Sequence, residues 1–211
     1  MSRYEFSGED DSAFEPGSDG SVLKNRLAII DPKEIGQVEA HALFVAIAWS
    51  DEAFDFETEF SFEIIKDMHR QWLGHIYPFA GELRTVNVTK DGFMFAPVAY
   101  LENSIREIDS LVRENTPCEG LHRPELVAAI ALVHSELLLV HPFREGNGRI
   151  ARWLADLMAI QGGLPPLDWA FEENSEARRE EYFAALRRAY IKQPGELEAL
   201  VDQALTRALT S

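Results

Sequence analysis

One run of this chain, His141-Pro142-Phe143-Arg144-Glu145-Gly146-Asn147-Gly148-Arg149-Ile150-Ala151-Arg152, gathers a histidine, a carboxylate, an amide and three arginines around two glycines. An imidazole titrates near neutral pH and suits general-base work. A carboxylate binds a hard cation, and arginines grip phosphate oxygens. The run follows a long apolar stretch and opens a new helical pattern, so it reads as a loop at a helix N-terminus. Such a place offers free backbone N–H groups and the positive end of a helix dipole, both suited to a phosphate. Gly146 and Gly148 let the backbone approach an anion closely, since neither adds a side chain. Together these residues offer chemistry on a phosphate-bearing ligand, with His141 as a general base and Glu145 as a candidate metal ligand. Arg149 and Arg152, three positions apart on the first helical turns, are the phosphate clamps. Phe143 is the apolar anchor that points into the core and fixes the loop.

Those side chains need a frame, and the apolar spacing predicts a helical one. Arg123-Pro124-Glu125 starts a helix whose body, Leu126–Val140, is apolar on nearly every side, as in the middle of a bundle. Gly148–Gln161 continues from the run and stops at Gly162-Gly163 and Pro165-Pro166. Upstream, Asp31-Pro32 is an N-cap with proline at the first helical position. Its stripe of Ile35, Val38, Ala42, Val45 and Ala46 predicts a helix to about Trp49, with Ser50–Glu59 as a polar connection. Ser61–Leu73 is the second helix, and a third starts at Pro97 and ends near residues 115–117. Asn174-Ser175 caps a sixth, and Glu196–Leu209 closes the chain. Leu83–Thr89 alternates, Asp91-Gly92 signals a tight turn, and Phe93–Phe95 would be the return strand. This hairpin is the one convincing β element, and as a lone ribbon it would leave both edges free. The expected fold is therefore all-α, mainly a helical bundle, with one β-hairpin flap. Residues 1–20 read as an extended or loosely held arm, and 21–211 as one domain without repeats.

Composition narrows the function. The chain has 211 residues and a formal net charge of -16, from 36 acidic and 20 basic residues. That balance argues against nucleic acid or an anionic membrane as partner. Cys118 is the single cysteine, so no intrachain disulfide forms. The acidic start lacks the pattern of a signal peptide, and a soluble, cytoplasmic protein is expected. His134 reads as a satisfied bundle histidine rather than a second base. His41, His69, His75 and His122 show no metal-ligand spacing and read as surface or helix-end residues. Cys118, in a loop, reads as inert.

Residues 141–152 match the Fic family signature HxFx(D/E)GNGRxxR at every defined position. Tyr77–Lys90 is similar to the segment leading into that family's β-hairpin flap. Pro16-Gly17 with Val22-Leu23-Lys24-Asn25 resembles the first segment of some bacterial members. The resemblance implies transfer of AMP from ATP to a serine, threonine or tyrosine hydroxyl of a target protein, with Mg²⁺, releasing pyrophosphate. It implies His141, Asn147, Arg149 and Arg152 as catalytic residues. Arg144, Gly146, Asn147, Gly148, Arg149 and Arg152 would be the phosphate-binding set, with the Asn147 side chain bonded to a phosphate oxygen. Glu145 would hold the magnesium, at a position where many members carry aspartate. The flap, about residues 83–96, would align the target by strand addition. Its candidates are Val86, Asn87, Val88 and Thr89 on one strand and Phe93, Met94 and Phe95 on the other, with the docking edge left open.

Other readings keep the fold. A Doc-like kinase would transfer the γ-phosphate, but that branch carries lysine where this chain has Gly148. Transfer of another nucleotide or of a phosphocholine group stays open, because base recognition lies outside the motif. A non-catalytic binding or regulatory module is the third reading, which the intact His141, Asn147, Arg149 and Arg152 disfavour. Many Fic proteins are restrained by a helix with the pattern (S/T)xxxE(G/N), whose glutamate pairs with the arginine equivalent to Arg152. Residues 1–30 and the stretch after Gly163 contain no match. Ser110–Asn115 matches, with Glu114 as the acid, but in the wrong place for the family, and is read as coincidence. The expectation is a toxin held by a separate small antitoxin that carries the inhibitory helix. By resemblance alone, the expected target is a type II topoisomerase subunit.

Overall fold

The computed structural model describes residues 5–7, 13–90, 92–171 and 175–210. In chain order the elements are β1 (Glu5–Ser7), α1 (Pro32–Ala53), α2 (Phe62–Leu73), β2 (Asn87–Lys90), β3 (Phe93–Met94), α3 (Leu101–Glu114), α4 (Arg123–Val140), α5 (Asn147–Gln161), α6 (Ser175–Tyr190) and α7 (Gly195–Ala208). The mainly helical fold expected from the apolar spacing is the fold observed. The chain forms two compact units, each assembled from separate segments. Among the described residues, no helix is long and apolar enough to cross a membrane.

The first unit holds the described residues up to Phe54, then Phe62–Arg106 and Val140–Asn147. Asp31 caps α1 by accepting the Lys33 and Glu34 N–H groups at 2.7 and 3.0 Å, and Pro32 sits where its missing N–H costs nothing. The helix runs 22 residues, past Trp49 to Ala53. Ser50, Asp51 and Glu52 are polar, but none of them breaks a helix as glycine or proline would. Ser50 is buried and turns its hydroxyl back onto the Ile47 carbonyl at 2.6 Å. On α2, Phe62, Ile65, Met68, His69, Trp72 and Leu73 are buried. Two hydrogen bonds tie this unit's helices and the following turn together. Trp72 Nε1 donates to the Glu39 carbonyl at 2.9 Å, and the Tyr77 hydroxyl donates to Glu39 Oε1 at 2.6 Å.

The hairpin is not a lone ribbon. The sheet order is β1-β2-β3, with both pairings antiparallel. β1 places Glu5, Phe6 and Ser7 opposite Thr89, Val88 and Asn87, so the outer edge of β2 is taken, and the sheet's two edges among the described residues are β1 and β3. The first hairpin strand is also shorter than the alternation suggests. At Arg84 the backbone N–H leaves the strand pattern and bonds to the Pro142 carbonyl at 2.9 Å. Gly92 has φ 75°, as the tight turn requires. Asp91, the other half of that turn signal, lies outside the described residues, as does Asn174.

The second unit holds Asp55–Ser61, Glu107–Leu139 and the described residues from Gly148 onward. Its core comes from Leu126, Ile130 and Leu137 of α4, Ile150, Leu154 and Met158 of α5, and Leu197, Val201 and Leu205 of α7. Gly162 is where α5 ends against α4: a β-carbon there would lie 2.5 Å from Leu126 Cδ2. Buried Gln161 satisfies a loop by accepting the Cys118 N–H at 3.2 Å and donating to the Thr58 carbonyl at 2.7 Å. Cys118 is buried, and burial pushes its thiol up to about 12, which suits the inert role expected of it.

Candidate functional site

The loop after α4 begins with a strained residue. His141 has φ 51°, the left-handed region where glycine usually ends a helix. A side chain in that region costs about 1 kcal/mol or more. Pro142 follows and prevents the helix from continuing. His141 is 3% exposed, and its ring stacks on Phe95 with centroids 3.7 Å apart and planes 19° from parallel.

Arg84 fixes this histidine to the flap. It is itself 3% exposed. Its Nε donates to the His141 carbonyl at 2.7 Å and its Nη2 to the Val140 carbonyl at 3.2 Å. The same guanidinium donates to the Val86 carbonyl at 2.8 Å and to the Ala96 carbonyl. Both flanks of the hairpin and the start of the loop therefore share one cation. Burial pulls the Arg84 pKa down, and the ring of carbonyls offsets that cost by solvating the charge.

Below the loop lies His69, which is fully buried rather than the surface or helix-end residue expected. Its Nδ1 accepts the Gly81 N–H at 2.8 Å, so Nε2 carries the proton and donates to the Glu145 carbonyl at 3.0 Å. Its ring lies flat against Phe143, centroids 4.0 Å apart, while Phe143 stacks on Phe62 from 6.0 Å. Phe143 is thus the buried anchor that its apolar character suggested. His41, His75 and His122 are exposed, as expected.

Asn147 closes the loop. Its Oδ1 accepts the Phe143 N–H at 2.9 Å, and its Nδ2 donates to the Phe143 carbonyl at 2.7 Å. The sequence suggested that this amide bonds a phosphate oxygen. In the structure the oxygen and one of the two Nδ2 hydrogens of this fully buried side chain bond the backbone of the loop. Gly146 has φ 84°, and a β-carbon there would lie 2.7 Å from Cζ3 of Trp72, so no larger residue fits without displacing the indole. Glu145 Oε1 accepts the Gly146 N–H at 2.9 Å. Arg144 is half-buried, and burial lowers its pKa. Among the described residues no group of three or more His, Cys, Asp or Glu gathers to hold a metal. A lone carboxylate suits Mg²⁺, which takes its other ligands from phosphate and water.

Among the flap candidates, Val88 and Phe95 belong to the core and Met94 is 61% exposed. Val86, Asn87, Thr89 and Phe93 are half-buried, and Asn87 Oδ1 accepts the Val98 N–H at 2.9 Å. The first unit thus brings together the flap, His141 and Arg144–Asn147. Gly148, Arg149 and Arg152 belong to the second unit, on the first turns of α5, whose first residue is Asn147. A β-carbon at Gly148 would make only an ordinary contact, 3.5 Å from Nη1 of Arg152.

Two of these side chains were missed in the sequence, and both had a signal. Arg84 falls in the alternating run of the sequence at the same parity as Val86 and Val88, the apolar positions of that run. His69 lies four residues after Ile65 and three before Trp72, on the apolar stripe of α2.

Residues 59–159, which span the flap and the loop, match the Fic/DOC family. The chain carries a Fic/DOC family domain. Protein adenylyltransferase VbhT of Bartonella schoenbuchensis is 28% identical over 179 residues, 85% of this chain and 36% of that protein. Protein adenylyltransferase fic-1 of Caenorhabditis briggsae is 37% identical over 130 residues, 61% of this chain and 24% of that protein. This chain therefore spans about a third or less of these relatives. Among solved structures, the BepC protein of Bartonella tribocorum with bound AMPPNP superposes with a TM-score of 0.71 at 18% identity, covering 91% of this chain and 95% of that one. That likeness establishes the Fic fold, helical with a hairpin.

Proposed function

We propose that this Fic domain is a protein adenylyltransferase, transferring AMP from ATP to a Ser, Thr or Tyr hydroxyl of a target protein. The observation that carries the reading is the intact run His141–Arg152, whose loop is tied down by the Asn147 amide and the Arg84 guanidinium and which opens α5. His141 takes the proton of the target hydroxyl, whose oxygen then bonds to the α-phosphorus of ATP. The bond to the β-phosphate oxygen breaks, and pyrophosphate leaves. Arg149 and Arg152 grip the departing phosphates, and the N–H groups at the start of α5 take the charge gathering on the α-phosphate. Glu145 would hold Mg²⁺, which when bound neutralises phosphate charge. Locking His141 by Phe95 and Arg84 gives the base one orientation, which lowers the ordering cost of the attack.

The name of the relatives and the nucleotide held by the BepC structure support ATP as substrate. The target segment docks on the open edge of β3. The restraint on Arg152 comes from a separate small antitoxin chain, and the target is a type II topoisomerase subunit; both rest on the family resemblance alone. Ser110 and Glu114 support no role in restraint, since the Ser110 hydroxyl donates to the Glu114 carboxylate at 2.8 Å on the exposed face of α3.

The test incubates the protein with lysate, Mg²⁺ and ATP labelled at the α or the γ position. Protein-bound label from the α position is expected. Label from γ alone would make the protein a kinase, and label from neither would leave a binding role. His141→Ala should abolish transfer while the helical circular dichroism stays unchanged; persistent labelling would remove His141 as the base.

A further inference from the structure

We propose that Tyr182 is a positioning residue for Arg152, aiming its guanidinium through a hydrogen bond whose direction is set by buried His134. The inference rests on the reading of Arg152 as a phosphate grip, and all of its residues lie in the second unit.

His134, on α4, is 1% exposed, and its ring stacks on Trp169 with centroids 5.3 Å apart. Its Nδ1 lies 3.1 Å from the Ala151 carbonyl, which can only accept, so Nδ1 carries the proton. Nε2 then holds a lone pair, and the Tyr182 hydroxyl 2.5 Å away must donate to it. With its one proton spent, the hydroxyl offers only lone pairs. Arg152 hydrogen-bonds to this oxygen, and a guanidinium can only donate. A phenol that is already donating is also a stronger acceptor. The order Arg152 to Tyr182 to His134 to Ala151 therefore has one possible direction. It begins and ends on adjacent residues of α5.

Two further groups hold the cation. Phe171 faces the guanidinium from 5.4 Å. Asp156, one turn along α5, accepts the Leu167 N–H at 2.9 Å and attracts the guanidinium in its ionised form, which burial delays to about pH 7. Burial raises the Tyr182 pKa to about 12 and lowers that of His134 to about 4. Both groups are then neutral at pH 7, and the direction of the relay does not reverse. A hydroxyl that served only to fill the core would not need to meet a motif arginine.

Calorimetric titration of the full chain with Mg-ATP and with AMP tests this, using Tyr182→Phe, Arg152→Ala and the double variant. Phenylalanine keeps the ring packing and removes only the hydroxyl. Tyr182→Phe should weaken ATP binding about three- to tenfold, the size of one lost charged hydrogen bond, and leave AMP affinity unchanged. Arg152→Ala should weaken ATP further, and the double variant should match Arg152→Ala. Unchanged ATP affinity in Tyr182→Phe, equal weakening for AMP, or additive losses in the double variant would each overturn the proposal. If Arg152→Ala itself leaves ATP affinity intact, the phosphate-grip reading fails too, which separates the two failures.

Discussion

Two residues of the loop adopt left-handed backbone for opposite reasons. Gly146 does so because nothing larger fits: it has φ 84° and the Trp72 indole fills the space its side chain would take. His141 has φ 51° despite its bulk, a local strain that the Phe95 stack and the Arg84 bond to its carbonyl hold in place. Gly146→Ala should therefore destabilise the protein by about 2–4 kcal/mol, since overpacking and backbone strain add. Urea denaturation measures the loss, and Trp72 should report its displacement by a change in fluorescence. An alanine variant as stable as the parent would mean that the indole moves freely. The glycine was legible as part of a motif. Trp72 as its reason was not, because position 146 and position 72 meet only in the folded chain.

At the scale of elements, the flap is the part whose edges the sequence left open. Phe95 donates its N–H to the Val88 carbonyl at 3.2 Å, so its neighbour Met94 must turn its N–H and C=O the other way, toward the open edge of β3. The Met94 side chain is 61% exposed as well. Met94→Pro removes that outward donor without touching the β2 ladder. Labelling of the target should fall about tenfold, as expected when a docking strand loses a main-chain bond and its register. Mg-ATP affinity should stay within about twofold. Equal labelling of both proteins would place target docking elsewhere than on β3.

For the whole molecule, two buried groups pull stability in opposite directions with pH. Asp156 is raised from 3.8 to about 7, chiefly by burial. Between those values the folded state holds a proton that the unfolded chain has lost, so this group's contribution falls as pH rises. His134 is lowered from 6.5 to about 4, again by burial. There the unfolded chain holds the extra proton, and stability rises with pH over that range. The two largely cancel between about pH 4 and pH 6.5. Asp156→Asn removes one side of the balance. Its stability relative to the parent should grow by about 2 kcal/mol from pH 4.5 to pH 6.5, at roughly 1.4 kcal/mol per pH unit before saturation. Urea midpoints at the two pH values measure this, and a constant difference would show that Asp156 is ionised throughout.

What the chain spells out by itself is local. Helical stripes, caps and breakers lie within a few residues of one another, so α1 to α7 were legible, and so was a loop rich in glycine and arginine at the start of α5. The extension of α1 past Trp49 was not, because polarity alone does not end a helix. Contacts between distant positions belong to the tertiary structure. Arg84 reaches His141, His69 supports Glu145, β1 occupies the edge of β2, and Tyr182 holds Arg152. Each pairing is favoured by burial, since leaving a buried donor or acceptor without a partner is costly, and sequence distance sets no limit on where that partner is.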